Sequence, residues 1–263
     1  MDLGITGRTA LIGGASSGLG RASAAALAAE GCRLAIWSRG RDGLEAVAAD
    51  LRKRHGSSIV VLEGDAAEPG VGARIAAEAT AALGPIDIVV LNAGGPPTTD
   101  PTATDAAGWG RAFQLLSITP IELASALLPS MRERGWGRIV AILSSGVRQP
   151  ITDLVYSNAG RGALVAWLKT TAGVVAPDGV TINGVLPGRL DTPRVASLDR
   201  GLAERTGDTL DAVLASRRAS IPAGRYGRPE ELGCYVAYVC SELAGYQTGT
   251  FTAIDGGLIA GLP

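Results

Sequence analysis

The sequence predicts a doubly wound α/β fold, a parallel sheet with helices on both faces, and three observations carry that expectation. Apolar runs rich in Val, Ile and Leu alternate with helical patterns along the whole chain. These runs are apolar over their full length rather than at every second position, as strands buried on both faces are. A glycine-rich turn, Gly13-Gly14-Ala15-Ser16-Ser17-Gly18-Leu19-Gly20, joins the first run to the first helical segment. Right-handed crossovers between parallel strands then place a ligand at the carboxyl ends of the strands.

The elements follow in order. A strand over Arg8–Gly13 leads through the glycine turn into an alanine-rich helix over Gly18–Glu30. A second strand, Arg33–Trp37, precedes a helix over Asp42–His55, and a third, Ile59–Leu62, precedes one over Val71–Leu83. Ile86–Leu91 is followed by a long helical stretch, Ala107–Arg134, and Arg138–Leu143 by one over Asp153–Val175. Val180–Val185, a helix over Pro229–Ser241 and a last strand, Gly249–Ile254, complete the pattern.

Composition bounds the rest. The chain has 263 residues, 46% hydrophobic but only 4% aromatic, so its core is aliphatic. Its 37 glycines and 14 prolines are spread rather than clustered, which marks tight turns and no linker, hence one domain over 1–263. A net charge of −1 argues against a nucleic-acid partner held by a basic surface. Cys32, Cys234 and Cys240 lack metal-ligand spacing and suit free thiols in a reducing compartment. The only histidine, His55, lies in a charged stretch, which argues against histidine catalysis. No signal-peptide pattern opens the chain and no apolar stretch is expected to span a membrane, so the expected location is the cytoplasm.

The glycine turn predicts a dinucleotide site. Gly14, Gly18 and Gly20 let the backbone take conformations barred to other residues and approach a pyrophosphate, beside Ser16, Ser17 and Leu19. The helix that follows aims unpaired N–H groups and its positive dipole end at the phosphates. The second strand ends in Ser38-Arg39, where an acidic residue would bind the ribose hydroxyls of NAD; Ser and Arg suit a 2′-phosphate and favour NADP(H) over NAD(H). Asp65, beside Ala66, is placed to accept from the adenine amino group. Asn92-Ala93-Gly94 forms a loop that Asn92 can brace through backbone bonds while glycine allows close approach. Pro187-Gly188, Leu190 and Thr192 form a turn near the nicotinamide position.

Taken together, Gly14/Gly18/Gly20, Asp65, Asn92-Ala93-Gly94, Pro187-Gly188 with Thr192, and Asp255-Gly256-Gly257 resemble the short-chain dehydrogenase/reductase family over nearly the whole chain. Gly135–Val140 and Gly224–Glu231 look most like its 3-oxoacyl-acyl-carrier-protein reductase branch. The resemblance implies a seven-stranded Rossmann-like sheet of order 3-2-1-4-5-6-7 and a mobile substrate lid over about 190–221. It also implies a small-molecule or carrier-bound carbonyl substrate and a homotetramer or homodimer, with no membrane or nucleic-acid partner. Lid arginines Arg189, Arg194, Arg200, Arg205, Arg217 and Arg218 are consistent with an anionic substrate, although Asp199, Glu204, Asp208 and Asp211 are expected to balance them locally.

The family's catalytic Asn, Ser, Tyr and Lys carry over less well. The family places a Lys four residues after the Tyr, a spacing that brings both to nearly one helix face; here the segment reads Val155-Tyr156-Ser157-Asn158-Ala159-Gly160-Arg161. Without a gap, Ser157 takes the Tyr position and Arg161 the Lys position, with Ser144 thirteen residues before Ser157. With one inserted residue, Tyr156 keeps its role and reaches the site if it lies just before the helix begins. The family's Asn falls at about Leu116, which holds neither water nor proton; Gln114 and Ser117 are nearby. Ser157-Asn158-Ala159-Gly160-Arg161 and Gly94-Gly95-Pro96-Pro97 look like a branch in which Ser-Asn-x-x-Arg replaces the usual segment. Three functions remain open: an NADP(H)-dependent carbonyl reductase or alcohol dehydrogenase using Ser144, Tyr156, Ser157 and Arg161; a cofactor-binding protein or supporting subunit without hydride transfer; and a non-redox dehydration or carbon–carbon cleavage.

Overall fold

The computed structural model describes residues 1–261. Seven parallel strands form one sheet in the order β3-β2-β1-β4-β5-β6-β7, with β1 Thr9–Gly13, β2 Arg33–Ser38, β3 Ile59–Glu63, β4 Ile88–Leu91, β5 Gly137–Ile142, β6 Val180–Pro187 and β7 Phe251–Ile254. The order is the one expected. It reverses direction between β1 and β4, whose pairing sets Ala10 against Ile88 and Ile12 against Val90. A crevice opens there, where the loops after the two strands leave in opposite directions.

Strand residues alternate between two cores. Ala10, Ile12, Leu34 and Ile36 pack against α1 (Gly18–Ala29), α2 (Arg41–His55) and α9 (Pro229–Val239). Leu11, Ala35, Val89 and Ile139 face α3 (Val71–Leu83), α5 (Thr119–Glu133) and α6 (Val155–Val175). Full burial of side chains such as Ile12, Leu27 and Ile75 on both faces, at about 1.5–3 kcal/mol each, is what the uninterrupted apolar runs provide.

Two features depart from the sequence expectations. The long stretch after β4 is continuous but not uniform: α4 (Ala106–Phe113) passes through a π-helical turn, Gln114–Ile118, into α5. Pro120 stands in the first turn of α5 and has no N–H to continue the ladder, so the widened turn absorbs the break. By length and composition Ala106–Glu133, 28 residues containing an 18-residue stretch of mean hydropathy 1.3, is apolar enough to cross a membrane. That corrects the expectation that no stretch reaches this length. Leu116, Leu123, Leu127 and Met131 are buried, three of them against the sheet and α3, so this is a core helix. The second departure lies between β6 and β7, where α7 (Pro193–Thr206) and α8 (Leu210–Ala219) occupy the stretch expected to be a lid.

Candidate functional site

At the carboxyl ends of the strands lies a cleft of about 930 Å³. The glycine turn forms one wall, and Gly14 and Gly18 serve it differently from Gly20. Gly14 and Gly18 take left-handed φ values of 58° and 55°, and a Cβ on Gly14 would lie 2.6 Å from Asn92 Nδ2. Gly20 is not on the cleft: a Cβ there would press on the carbonyl oxygens of Gly13 and Gly14, so it lets α1 pack against the turn. Ser17 caps α1 with extended backbone but makes no side-chain capping bond, leaving the first-turn N–H groups open to the cleft, where Ser16, Ser17, Gly18 and Leu19 line the wall.

Around this turn the other strand ends converge. Ser38, Arg39, Asp65, Ala66, Asn92, Ala93 and Gly94 all line the cleft. Asn92 braces the turn, its Nδ2 donating to Gly13 O at 3.0 Å. Asp65 Oδ1 accepts from Ala67 N at 3.0 Å, shaping the loop after β3. Ser38 Oγ is buried without a hydrogen-bond partner, and Arg39 is exposed with no ion pair among the described residues. A buried hydroxyl lacking a partner costs free energy unless a ligand supplies one. The opposite wall holds Pro187, Gly188, Leu190 and Thr192. Thr192 Oγ1 caps α7 by accepting from Val195 N at 3.3 Å. Taken together, the glycine cradle, the open helix terminus and the orphaned Ser38 hydroxyl fit a dinucleotide.

Ser144, Ser157 and Arg161 also line the cleft. Ser144 Oγ accepts from Gly146 N at 3.0 Å. Arg161 donates from Nε to Ser157 Oγ at 3.3 Å and from Nη1 to Ile142 O at 2.9 Å. Burial, reinforced by the charge of Arg194, pulls its guanidinium down to about 10. Tyr156 is not with them, which corrects the placement that keeps it as a candidate acid. Its phenol accepts from Asp105 N at 3.0 Å and its ring stands edge-on to Trp109 with centroids 4.7 Å apart. The reason is angular: one residue before Ser157 on a regular helix, it points ~100° away.

Leu116, at the position of the family's Asn, is 2% exposed and lies beside Gly160. Ser117 Oγ donates to Gly160 O at 2.6 Å, and Gln114 Nε2 to Thr119 Oγ1 at 3.0 Å, so both are packing residues. Asn158 has a task the sequence reading did not assign. Its Nδ2 donates to Ile151 O at 2.8 Å and ties down the loop before α6, whose residues Gln149–Leu154 form part of the cleft wall. The lid arginines divide unevenly. Arg189 pairs with Asp199 at 3.3 Å and Arg205 with Asp153 at 2.9 Å, whereas Glu204, Asp208 and Asp211 form no ion pair among the described residues. The local balance expected from sequence therefore holds only in part.

The fold and the cleft define the class of doubly wound, dinucleotide-binding α/β domains. Residues 14–259 match a family described as enoyl-(acyl carrier protein) reductase. Nodulation protein G of Azospirillum brasilense is 34% identical over 254 residues, covering 95% of this chain and 98% of its own. A 3-oxoacyl-[acyl-carrier-protein] reductase of Aquifex aeolicus is 28% identical over 259 residues, covering 98% and 100%. L-sorbose reductase of Gluconobacter frateurii, solved with NADPH and L-sorbose, superposes with a TM-score of 0.94 at 31% identity over 100% of both chains. The chain belongs to the short-chain dehydrogenase/reductase family, a family of NAD(P)-dependent oxidoreductases of carbonyl and alcohol groups.

Proposed function

We propose that the chain is an NADP(H)-dependent oxidoreductase that interconverts a carbonyl compound and its alcohol, with two serine hydroxyls and Arg161 in place of a Tyr–Lys pair. The carrying observation is that Ser144 and Ser157 each already accept one hydrogen bond, from Gly146 N and from Arg161 Nε. Each hydroxyl therefore keeps its own O–H to donate to a substrate oxygen. When bound, NADPH supplies the hydride. Ser144 and Ser157 orient the carbonyl, and the Arg161 guanidinium, cationic at neutral pH, stabilises the negative charge that develops on its oxygen. A serine hydroxyl is too weak an acid to deliver the proton itself, and the open cleft admits the water that does. Ser38 and Arg39 hold the 2′-phosphate, Asp65 the adenine, Asn92-Ala93-Gly94 and Thr192 the nicotinamide end. The NADPH-bound relative supports the cofactor choice.

We further infer that α7 and α8 move as a lid over the substrate and that the chain works in the cytoplasm as a homotetramer or homodimer. Exposed Val174, Leu243 and Tyr246 support a contact between copies, and light scattering of the purified protein measures the mass.

The test follows NADPH oxidation with a panel of ketones. Ser157→Ala and Arg161→Ala lower kcat by about 10²–10³, as removal of an oxyanion donor does. Tyr156→Phe leaves kcat within about two-fold and costs about 1 kcal/mol of stability, one hydrogen bond. Loss of turnover in Tyr156→Phe with cofactor binding intact refutes the assignment. A second reading, cofactor binding without hydride transfer, is favoured by Leu116 at the Asn position and Tyr156 turned away. It predicts NADPH binding, no ketone reduced, and Arg161 variants that change affinity alone. A non-redox reaction would survive removal of the cofactor.

A further inference from the structure

The lid side of the cleft gathers positive charge that no carboxylate among the described residues answers with an ion pair. Arg161 from α6, Arg194 from the first turn of α7 and Arg217 from α8 all line it. None is ion-paired to a carboxylate among the described residues. Arg194 Nη2 donates to Pro96 O at 2.5 Å, and Arg217 Nε is buried with no partner among the described residues. Asp153, the acid on the same wall, is already held by Arg205 at 2.9 Å. The like charges act on one another: Arg194 disfavours the cation at Arg161, and Arg217 does so at Arg189. Arg161 and Arg217 are half-buried and Arg194 is exposed, and none of the three has an ion pair of its own among the described residues, so an anion completes such a set with charge-assisted, bidentate hydrogen bonds. The cofactor phosphates have their own cradle across the cleft, at the glycine turn and Ser38-Arg39.

We propose that Arg194 and Arg217 bind the carboxylate of the substrate, leaving Arg161 to the carbonyl oxygen, so that the compound reduced is a small oxo acid and the product its hydroxy acid. This rests on the oxidoreductase reading above. The carbonyl carbon takes a hydride from NADPH, its oxygen takes a proton from water, and NADP⁺ and the hydroxy acid leave. The carboxylate undergoes no bond change; it fixes the orientation of the carbonyl against Ser144 and Ser157.

The experiment is calorimetric titration of the NADP⁺-saturated protein, which has no hydride to give, with pyruvate, acetoacetate, levulinate and phenylpyruvate, each against its methyl ester. At least one acid binds about ten-fold or more tightly than its ester, the worth of one charge-assisted contact. Arg194→Ala and Arg217→Ala each weaken that acid by about ten-fold and leave the ester and NADPH within about two-fold. Arg217→Lys restores most of the loss, and Arg200→Ala, on the exposed face of α7, changes nothing. Unchanged NADPH affinity shows that each variant is folded. Equal binding of acid and ester, or no acid bound while NADPH binds, overturns the proposal and leaves the oxidoreductase reading standing. NADPH affinity falling in step with that of the acid assigns these arginines to the cofactor and also overturns it. Failure of the unmodified protein to bind NADPH sinks the oxidoreductase reading itself.

Discussion

Replacing Arg39 tests the cofactor assignment most directly. Its guanidinium is exposed and unpaired among the described residues, and Arg39 follows Ser38, whose hydroxyl is orphaned. A hydrogen bond to a charged group contributes about 1.5–3 kcal/mol when shielded from water. Exposure and salt reduce this, so Arg39→Ala costs the 2′-phosphate about 1.4 kcal/mol, or about ten-fold in Kd. Ser38→Ala removes one neutral bond, about 1 kcal/mol and about five-fold. NADH carries no phosphate there, so its Kd stays within about two-fold in both variants. Ser38→Asp places a carboxylate where NAD-binding members of this fold carry one, repelling the phosphate and accepting from the ribose hydroxyls, and it inverts the preference. Fluorescence titration of NADPH and NADH at fixed ionic strength reads all of this. If Arg39→Ala weakens both cofactors by the same factor, or neither, the phosphate is not bound at Ser38-Arg39 and the argument from the β2 terminus fails.

Two further outcomes follow. Gly20→Ala drives a methyl group into the Gly13 and Gly14 carbonyls; overpacking of about 1–3 kcal/mol lowers Tm by about 2–12 °C in a thermal melt and weakens NADPH binding, whereas an unchanged melt means that α1 has room to shift. Tyr226 donates to Asp199 Oδ2 at 2.9 Å, and burial first, then that bond, raises its phenol to about 12. The unfolded chain releases this proton near pH 10 and the folded chain near 12. Stability from this group is therefore complete below pH 10 and lost as pH rises to 12. Denaturant titrations across that window show the slope in the unmodified protein and a smaller one in Tyr226→Phe.

The sheet was legible because its signals are local. Each strand is an apolar run, each βα turn has its own glycine or asparagine, and the observed boundaries differ from those expected by only a few residues. The cofactor wall was legible for the same reason, since strand order brings Gly14, Ser38, Asp65 and Asn92 to one edge once the sheet is parallel. The charge balance of the lid was not. Arg189 and Arg205 find Asp199 and Asp153, ten and fifty-two residues away, while nearer acids stay unpaired, and sequence proximity carries no such information once helices fold back over a cleft. Nor does a sequence show that Pro120 converts the preceding turn to π geometry and puts Leu116 against Gly160.

The choice between Tyr156 and Ser157 turns on where α6 begins. A tyrosine ahead of the helix would be free to swing into the cleft; a tyrosine inside its first turn has its direction set by the helix. α6 begins at Val155, and Asn158 explains why. Its backbone N–H donates to Leu154 O at 2.9 Å, closing the first turn, while its side chain clamps Ile151. Positions 157 and 161 then share one face, four residues apart, and meet through the Arg161–Ser157 bond. Tyr156 is left on the adjoining face, where Trp109 and Asp105 receive it. The Asn in Ser-Asn-x-x-Arg is thus the residue that fixes the register of the other two. Moving the helix start one residue would return the phenol to the cleft only by breaking its Asp105 hydrogen bond and its Trp109 contact.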